Sequence, residues 1–311
     1  MAETIKNRSE IIFIYDVNDG NPNGDPLDEN KPRIDEDVGI NLVTDVRLKR
    51  TIRDYLHDFK ELEIFVREII TDEEKGYIQD AKERARDFDE NAKRILAECI
   101  DMRLFGGVIP IEKSQGDKSA ITYTGPVQFK MGRSLHRVTV KHIRGTGAFA
   151  SGAKSKQKTF REEDFLPYSL ILFYGIVNEN AAKQTGLTDE DGRLLLEGIW
   201  NGTKSLITRT KVGQVPRLLL KVNYSKENYH IGDLDKLVKL VTDMLHEDIR
   251  DVEDFKLDIS ELIKKLKDEK DAIKDIEVKA DDRIKFKKDD VDFSVADLHK
   301  ETGIIINPIS F

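Results

Sequence analysis

The sequence predicts an α+β fold in which an antiparallel sheet carries helices on one face. Two segments, residues 10–15 and 169–177, are apolar on both alternating faces, as strands buried in a sheet are. Helical and period-two segments lie between and after them, so the order along the chain is strand, helix, strands, strand, helix, strand. That order is the ferredoxin-like or RRM-type arrangement, modified here by long helical and loop insertions.

The first helix is the best-defined element of the N-terminal part. Residues 45–59 place apolar side chains on one stripe, and Thr44 is a suitable N-cap. The preceding residues, 16–42, are rich in Asn, Asp, Gly and Pro, which predicts a long loop that is functional or mobile. The apolar stripe of the helix consists of Leu48, Ile52, Tyr55, Leu56 and Phe59.

Two insertions interrupt this core. Residues 72–104 are charged and alanine-containing, which predicts one or two helices that end at Gly106-Gly107. Residues 145–160 are small, polar and basic, which predicts a flexible loop. Between the insertions, residues 123–141 alternate with period two and predict half-buried strands with a cationic face.

The remaining chain predicts a helix over 189–200, a basic connection over 204–216 and a strand over 217–224. Residues 227–311 form an acidic region with predicted helices at 234–245 and 258–274. Residues 304–306 predict a short edge strand near the C-terminus. We interpret all 311 residues as one elaborated domain.

Composition excludes several classes of protein. Hydrophobic residues make up 39% of the chain and charged residues 35%, which indicates a globular protein. No segment approaches the roughly 20 apolar residues of a membrane helix, and the N-terminus is too polar for a signal peptide. We therefore expect a cytoplasmic protein without a membrane partner. The lone Cys99 excludes an internal disulfide and a thiolate zinc cluster.

Charge is segregated along the chain, although the net charge is -8. Residues 118–161 carry ten Lys or Arg and no acid, and residues 198–226 carry six more, again without an acid. Such segregation predicts a polyanionic partner, and we expect these cations to line one continuous groove. The aromatic string with which RRM sheets stack bases is absent, so contacts to RNA would be to its backbone. Two solvated faces that merely lack acids are the alternative.

Other motifs are incomplete. Residues 19–30 partly match a calcium-binding loop, but Asn30 stands where a bidentate Glu is required, Pro26 lies inside the loop, and a predicted strand precedes it instead of a helix. Residues 147–155 have one residue too many before Lys154 for a phosphate-binding loop. The six histidines lack metal-ligand spacing, so no cofactor is expected. A calcium-stabilised interaction protein and a Mg²⁺-dependent ribonuclease stay open. The carboxylates available to such a ribonuclease are Asp16, Asp19, Asp25, Asp28, Asp35 and Asp37.

Three segments resemble a known family. Residues 12–53 (IFIYDVNDGNPNGDPLDENKPRIDEDVGINLVTDVRLKRTIR), 125–129 (GPVQF) and 167–178 (PYSLILFYGIVN) closely resemble the backbone subunit of type I CRISPR effector (Cascade) complexes, of the RAMP superfamily. The type I-B subunit is the most similar and the type I-C subunit is next. The resemblance extends to about residue 224 and rests mainly on the long, irregular N-terminal block.

The resemblance implies a hand-shaped scaffold. An RRM-like palm would comprise residues 9–60, 122–144 and 165–226, and a helical finger would comprise residues 61–121. Either the basic loop at 145–160 or the connection at 204–216 would be the thumb.

The resemblance also implies a function without catalysis. Copies would polymerise head to tail along CRISPR RNA, join other Cascade subunits and present the guide for pairing with target DNA. Type III relatives cut target RNA with an aspartate in the loop after the first strand, so cleavage by the 16–37 loop is the alternative. The residues expected to bind RNA are Arg47, Lys49, Arg50, Arg53, Lys130, Arg133, Arg137, Lys141, His142, Arg144, Lys154, Lys156, Lys204, Arg209, Lys211 and Arg217.

Overall fold

The computed structural model describes residues 3–112, 118–150 and 158–311. Its strands are β1 Ser9–Gly20, β2 Gly24–Asp25, β3 Lys31–Pro32, β4 Ile34–Asp35, β5 Ile40–Val43, β6 Ile70–Asp72, β7 Tyr77–Ile78, β8 Gly106–Glu112, β9 Lys118–Thr124, β10 Val127–Phe129, β11 Gly132–Arg137, β12 Lys141–Ala150, β13 Lys158–Val177, β14 Val215–Tyr224, β15 Lys239–Val241, β16 Lys256–Asp258, β17 Ile273–Ala280, β18 Phe286–Lys288, β19 Val291–Phe293 and β20 Ile306–Pro308. Its α-helices are α1 Asp45–Asp58, α2 Ala81–Arg86, α3 Ala92–Glu98, α4 Ile100–Phe105, α5 Glu179–Thr185, α6 Asp189–Lys204, α7 Ser260–Asp268 and α8 Leu298–Thr302.

A ten-stranded sheet forms the centre of the molecule, and β1 lies in its middle. β1 pairs antiparallel with β13 on one side and with β14 on the other, so that Phe13 lies opposite both Phe173 and Leu219. The strand order is β20-β17-β14-β1-β13-β11-β5-β4, and β10 and β12 also pair with β13. The predicted α+β class is confirmed, whereas the RRM-type detail stays a prediction.

Two helices cover one face of the sheet. Phe13 of β1 is buried in a cluster with Ile52 of α1 and Ile199 of α6. α6 approaches α1 closely because Gly202 has no side chain: a Cβ there would lie 3.1 Å from the backbone oxygen of Thr51. The two predicted helices therefore pack against each other and form one layer over this face of the sheet.

Helix α1 matches its prediction except at its end. The Thr44 hydroxyl accepts a hydrogen bond from the backbone N–H of Arg47 at 3.3 Å, which confirms the predicted N-cap. The predicted stripe is buried as far as Leu56, but Phe59 is 61% exposed. Phe59 follows the last helical residue and stacks on Tyr55 instead of entering the core, with ring centroids 5.2 Å apart.

The C-terminal region covers the opposite face of the sheet, where the sequence predicted no layer. Ile12 and Ile14 of β1 share a second buried cluster with Leu257 and Leu262. The same region adds β17 to the main sheet beside β14. The sheet is therefore buried on both faces, which explains why β1 is apolar on both.

The predictions for this region are only partly right. The prediction of a helix over 234–245 is wrong. A 3₁₀ turn at Leu234–Leu237 precedes β15, and the residues of β15 pair with β16 instead of continuing a helix. The helix over 258–274 is confirmed in its centre by α7. An edge strand is present, but β20 lies two residues later than the predicted 304–306 and pairs parallel to β17.

A buried carboxylate ties the C-terminal region to the sheet. Glu10 is fully buried and accepts hydrogen bonds from the hydroxyls of Tyr174 and Tyr224. It also accepts from the backbone N–H groups of Ile231 and Gly232, each at 2.9 Å. Four donors satisfy the carboxylate away from water, so this contact fixes the chain where it leaves β14 for the second face.

The insertion after α1 has a small core of its own, formed by side chains such as Phe65, Phe88 and Cys99. The helices predicted over 72–104 are present as α2, α3 and α4, and α4 ends at Gly106 with φ 63°, as the glycine pair predicted. The buried carboxylate of Asp101 binds Arg53 of α1 at 2.9 Å. This ion pair attaches the insertion to the main sheet.

Two segments predicted as loops contain strands. Within residues 16–42, β1 extends to Gly20 and two short hairpins follow, β2 with β3 and β4 with β5. Within residues 145–160, β12 and β13 pair as an antiparallel ribbon as far as Ala150 and Lys158. The loop prediction is wrong for these strand residues because cross-strand pairing orders a segment poor in apolar side chains, and residues 151–157 lie outside the described chain. In the parts of the chain that the structure describes, no helix is long and apolar enough to cross a membrane.

Candidate nucleic-acid interface

Three segments meet at the end of the sheet where β1 finishes and α1 begins. The backbone N–H of Asn21 donates to the carbonyl of Thr210 at 2.8 Å, which holds the loop of residues 205–214 against β1. The side-chain oxygen of Asn23 accepts from the backbone N–H of Thr44 at 2.9 Å, which fixes the start of α1. We call this meeting point of α1, the 205–214 loop and the root of the β12–β13 ribbon the junction.

Arg47 is the central cation of the junction. Its side chain is half-buried and lines a cavity of about 10 Å³ together with Tyr15, Phe173 and Gln214. Burial lowers the pKa of the Arg47 guanidinium, and burial raises the pKa of the Tyr15 hydroxyl beneath it. The guanidinium has no ion pair with any residue that the structure describes.

Lys211 brings a second half-buried cation to the same place. Burial lowers the pKa of its ammonium group, and the positive charge of Arg47 lowers it further, so the two charges lie close together. Within the described chain, its ammonium group donates a hydrogen bond only to the hydroxyl of Thr210, at 3.4 Å, and forms no ion pair with a carboxylate. Among the described residues, the one carboxylate that acts on Arg47 is that of Asp54, which is itself paired with Arg50. Two adjacent, partly desolvated cations that form no ion pair of their own in the described chain favour the binding of an anion.

Gln214 is the junction residue that the sequence did not indicate. Its side chain is 5% exposed, lines the cavity with Arg47, and its amide Nε2 finds no hydrogen-bond acceptor among the described residues. No sequence signal marks such a residue, because a glutamine in a basic loop is expected to lie in solvent.

Other predicted cations surround the junction. Arg209 of the loop pairs with Glu163 at the root of the ribbon, and Arg50 pairs with Asp54 at 2.6 Å on the exposed side of α1. Lys204 is exposed at the end of α6. A groove of about 470 Å³ continues from here along α1 and the 205–208 segment towards the exposed ring of Phe59.

The predicted cations of β10 and β11 lie on the other face of the sheet. Lys130 lies over the ring of Tyr174 at 4.5 Å and pairs with Asp233 at 2.8 Å. Arg137 pairs with Glu247 at 3.1 Å. Arg133 pairs with Asp35 and lies opposite Leu172, which belongs to the core beneath the C-terminal region. The prediction of one continuous groove lined by all these cations is therefore wrong.

Three further cations hold the fold together. Arg217 is 4% exposed and binds Asp16 at 2.7 Å and Asp281 at 2.6 Å, so it is a core residue and not a surface contact. Arg53 is committed to the buried Asp101, as described above. Lys49 is largely buried, pairs with Asp45 at 3.0 Å and bonds Gln128 at 3.0 Å.

The ribbon carries the remaining predicted cations. His142 contacts Asp164 at 3.1 Å and Arg144 pairs with Glu162 at 2.8 Å, both across the two strands. Lys141 is exposed. Lys154 and Lys156 lie outside the described residues.

The carboxylates of residues 16–37 are dispersed. Asp16 is buried against Arg217, and burial raises the pKa of Asp16 while the neighbouring guanidinium opposes the shift. Asp25 pairs with Arg33 at 2.8 Å. Over the described part of the chain, no group of three metal-ligating side chains is placed to hold a metal ion.

Comparisons with known proteins agree with the resemblance seen in the sequence. A family model for CRISPR-associated protein Cas7 matches residues 7–260. A CRISPR-associated protein Cas7 of Haloferax volcanii is 34% identical over 305 residues, covering 90% of this chain and 89% of the relative. A chain of a solved CRISPR RNA-guided surveillance complex has a similar fold, with a TM-score of 0.50, 14% identity and 88% of each chain covered. A chain of a pre-nicking surveillance complex gives a TM-score of 0.47 at 12% identity, covering 74% of this chain and 81% of that one. This chain belongs to the Cas7 family.

Proposed function

We propose that this Cas7 protein is a non-catalytic backbone subunit of a CRISPR surveillance complex and that it holds CRISPR RNA by the sugar-phosphate backbone at the junction. The observation that carries the proposal is the pair Arg47 and Lys211, two half-buried cations that form no ion pair with a carboxylate of the described residues. A phosphodiester supplies the missing negative charge. Contacts to phosphate position a strand without reading its bases, which suits a subunit that must accept any guide.

The same proposal includes assembly of copies along the guide. The acidic C-terminal region and the unneutralised junction lie in different parts of one subunit, so a head-to-tail arrangement brings opposite charges together and repeats one RNA site per copy. The guide bases, held only through their backbone, stay available for pairing with target DNA. Other subunits of the complex would complete the assembly.

Cleavage of target RNA is the less favoured function. The carboxylates of Asp16 and Asp25 each form an ion pair with an arginine, and that of Asp35 pairs with Arg133. Incubation of the assembled complex with target RNA and Mg²⁺ tests this: we expect intact RNA. Cuts at regular spacing that disappear in Asp19→Ala or Asp25→Ala would establish the ribonuclease instead.

Recovery of bound RNA tests the binding proposal. The complex is purified from cells that express a guide, and the RNA that co-purifies is sequenced. We expect short, uniform CRISPR RNA from the unmodified protein and at least tenfold less from Arg47→Gln/Lys211→Gln. Arg137→Gln, on the opposite face, is the matched control and should retain the RNA. Equal recovery from the double variant would contradict the proposal.

A further inference from the structure

Gln214 is a buried polar group that the protein itself does not satisfy. Its side chain is 5% exposed, and its Nε2 has no acceptor among the described residues. Buried amides are almost always hydrogen-bonded, because the lost contact with water is otherwise not replaced. An unsatisfied donor beside a cavity therefore indicates a partner from outside the chain, which is either a water molecule or an oxygen atom of a ligand.

The surroundings of Gln214 indicate what that partner is. Gln214 and Arg47 line the same cavity, which at about 10 Å³ has room for roughly one oxygen-sized atom. The other walls of the cavity are mainly apolar or aromatic, including Val43 and Phe173, and the hydroxyls of the two threonines that line it, Thr51 and Thr203, donate to backbone carbonyls of their own helices. Lys211 adds its charge beside Arg47. One neutral donor and one cation line a single-atom cavity, and a second cation lies in the same turn, where the backbone N–H of Gln214 donates to the carbonyl of Lys211 at 3.4 Å. This arrangement matches an anionic oxygen that is attached to a larger group outside.

The backbone of the loop holds Gln214 in this position. The N–H groups of Lys211 and Val212 donate to the carbonyl of Thr208 at 3.1 and 2.8 Å, and Thr210 is bound to the end of β1. Gly213 has φ 89°, a left-handed conformation that favours glycine and turns the chain inward before β14. The amide is thus presented by a turn fixed at both ends, and it is ready for its ligand before the ligand binds.

We propose that Gln214, with Arg47 and Lys211, binds a single non-bridging phosphate oxygen of the RNA backbone and thereby fixes the position of the strand on each subunit. This inference rests on the proposed function, since it specifies how that strand is held. Exposed lysines and arginines attract any phosphate over several ångströms, whereas a one-atom cavity accepts one oxygen in one place. The neutral amide supplies the positional part of binding and the cations supply the electrostatic part.

Salt dependence separates these two parts. Each phosphate neutralised by a cation contributes about 0.7 to the slope of log affinity against log salt for a single strand, and a neutral donor contributes nothing. In Gln214→Met, which keeps the side-chain length without the amide, we expect about tenfold weaker binding of a fluorescein-labelled guide RNA at every salt concentration. The slope should be unchanged. The Tm of the free protein should stay equal or rise, because an unsatisfied buried donor has been removed.

Two further variants make each outcome decisive. Gln214→Glu puts a carboxylate beside Arg47 and Lys211, so we expect a larger loss of affinity and a slope lower by about 0.7 or more. Wild-type affinity for the RNA in Gln214→Met overturns the inference. If the Met variant is less stable than the unmodified protein, Gln214→Glu decides the test, and wild-type affinity in that variant overturns the inference. The proposed function fails separately, if Arg47→Gln binds the same RNA with the wild-type affinity and slope.

Discussion

Arg217 provides a quantitative test of the distinction between structural and RNA-binding cations. It lies in a basic run of the sequence, yet its side chain is 5% exposed and bridges Asp16, at 3%, and Asp281, at 18%. Arg217→Met removes the positive charge and leaves the Asp16 carboxylate buried. Removal of one partner from a buried ion pair costs about 3–5 kcal/mol, a large part of the 5–15 kcal/mol by which domains are typically stable.

The pH dependence of this loss has a definite sign. Burial already raises the pKa of Asp16, and Arg217 opposes the shift. Without Arg217 the folded-state pKa rises further above the unfolded value, so the folded variant binds more protons than its unfolded chain. Its stability therefore falls as pH rises through the folded-state pKa. The deficit of Arg217→Met relative to the unmodified protein should be larger at pH 8 than at pH 5.

Urea unfolding followed by fluorescence measures the effect, because the single tryptophan, Trp200, is buried in the core beneath α1. The matched control is Arg209→Met, which breaks an exposed pair and should cost less than about 1 kcal/mol. Adding Asp16→Asn to Arg217→Met should remove the pH dependence. The reasoning would be refuted if the free energy of unfolding of Arg217→Met at pH 8 lay within about 1 kcal/mol of that of the unmodified protein while its RNA binding was weakened. Arg217 would then be an RNA-binding residue.

Three more predictions concern buried contacts elsewhere in the fold. Burial lowers the pKa of His136, whose Nε2 accepts a hydrogen bond from the backbone N–H of Leu170. The free energy of unfolding should therefore be highest above the ordinary His pKa of about 6.5 and should fall towards pH 5. Urea midpoints at pH 7.5 and 5.5 measure this difference, which should be smaller in His136→Gln. Gly202→Val should destabilise the protein by at least about 2 kcal/mol in urea, because its side chain would collide with α1; an unchanged midpoint would contradict the observed helix contact. Asp101→Ala leaves Arg53 and two backbone N–H groups unpaired, so protease should cut the 61–121 insertion faster while the rest of the chain stays resistant; equal digestion rates would contradict this.

Local patterns predicted the elements that depend on local chemistry. The two strands apolar on both faces, α1 with its Thr44 cap and the Gly106 stop signal are all present. The layer over the second face of the sheet was missed because its apolar residues are scattered singly among charges. Only contacts over long sequence distances, such as that between Glu10 and Gly232, bring them together.

The candidate site was predictable in charge but not in geometry. A count of cations cannot show which of them meet a carboxylate after folding, and Lys130 meets Asp233 from 103 residues away. The sequence contains a weak indication that Arg217 is buried, since Arg217 begins an apolar strand. It contains no indication that distinguishes Arg47 from Arg50. The unneutralised state of Arg47 and Lys211 emerges only where the 205–214 loop folds against α1.

The salt dependence of RNA binding by Arg47→Gln/Lys211→Gln tests the central claim most directly. If the two cations of the junction together neutralise one backbone phosphate, the slope of log affinity against log salt for a single-stranded guide should fall by about 0.7 relative to the unmodified protein, and the slope of Arg137→Gln should not change. An unchanged slope in the double variant, or a comparable fall in Arg137→Gln, would show that the RNA does not lie at the junction.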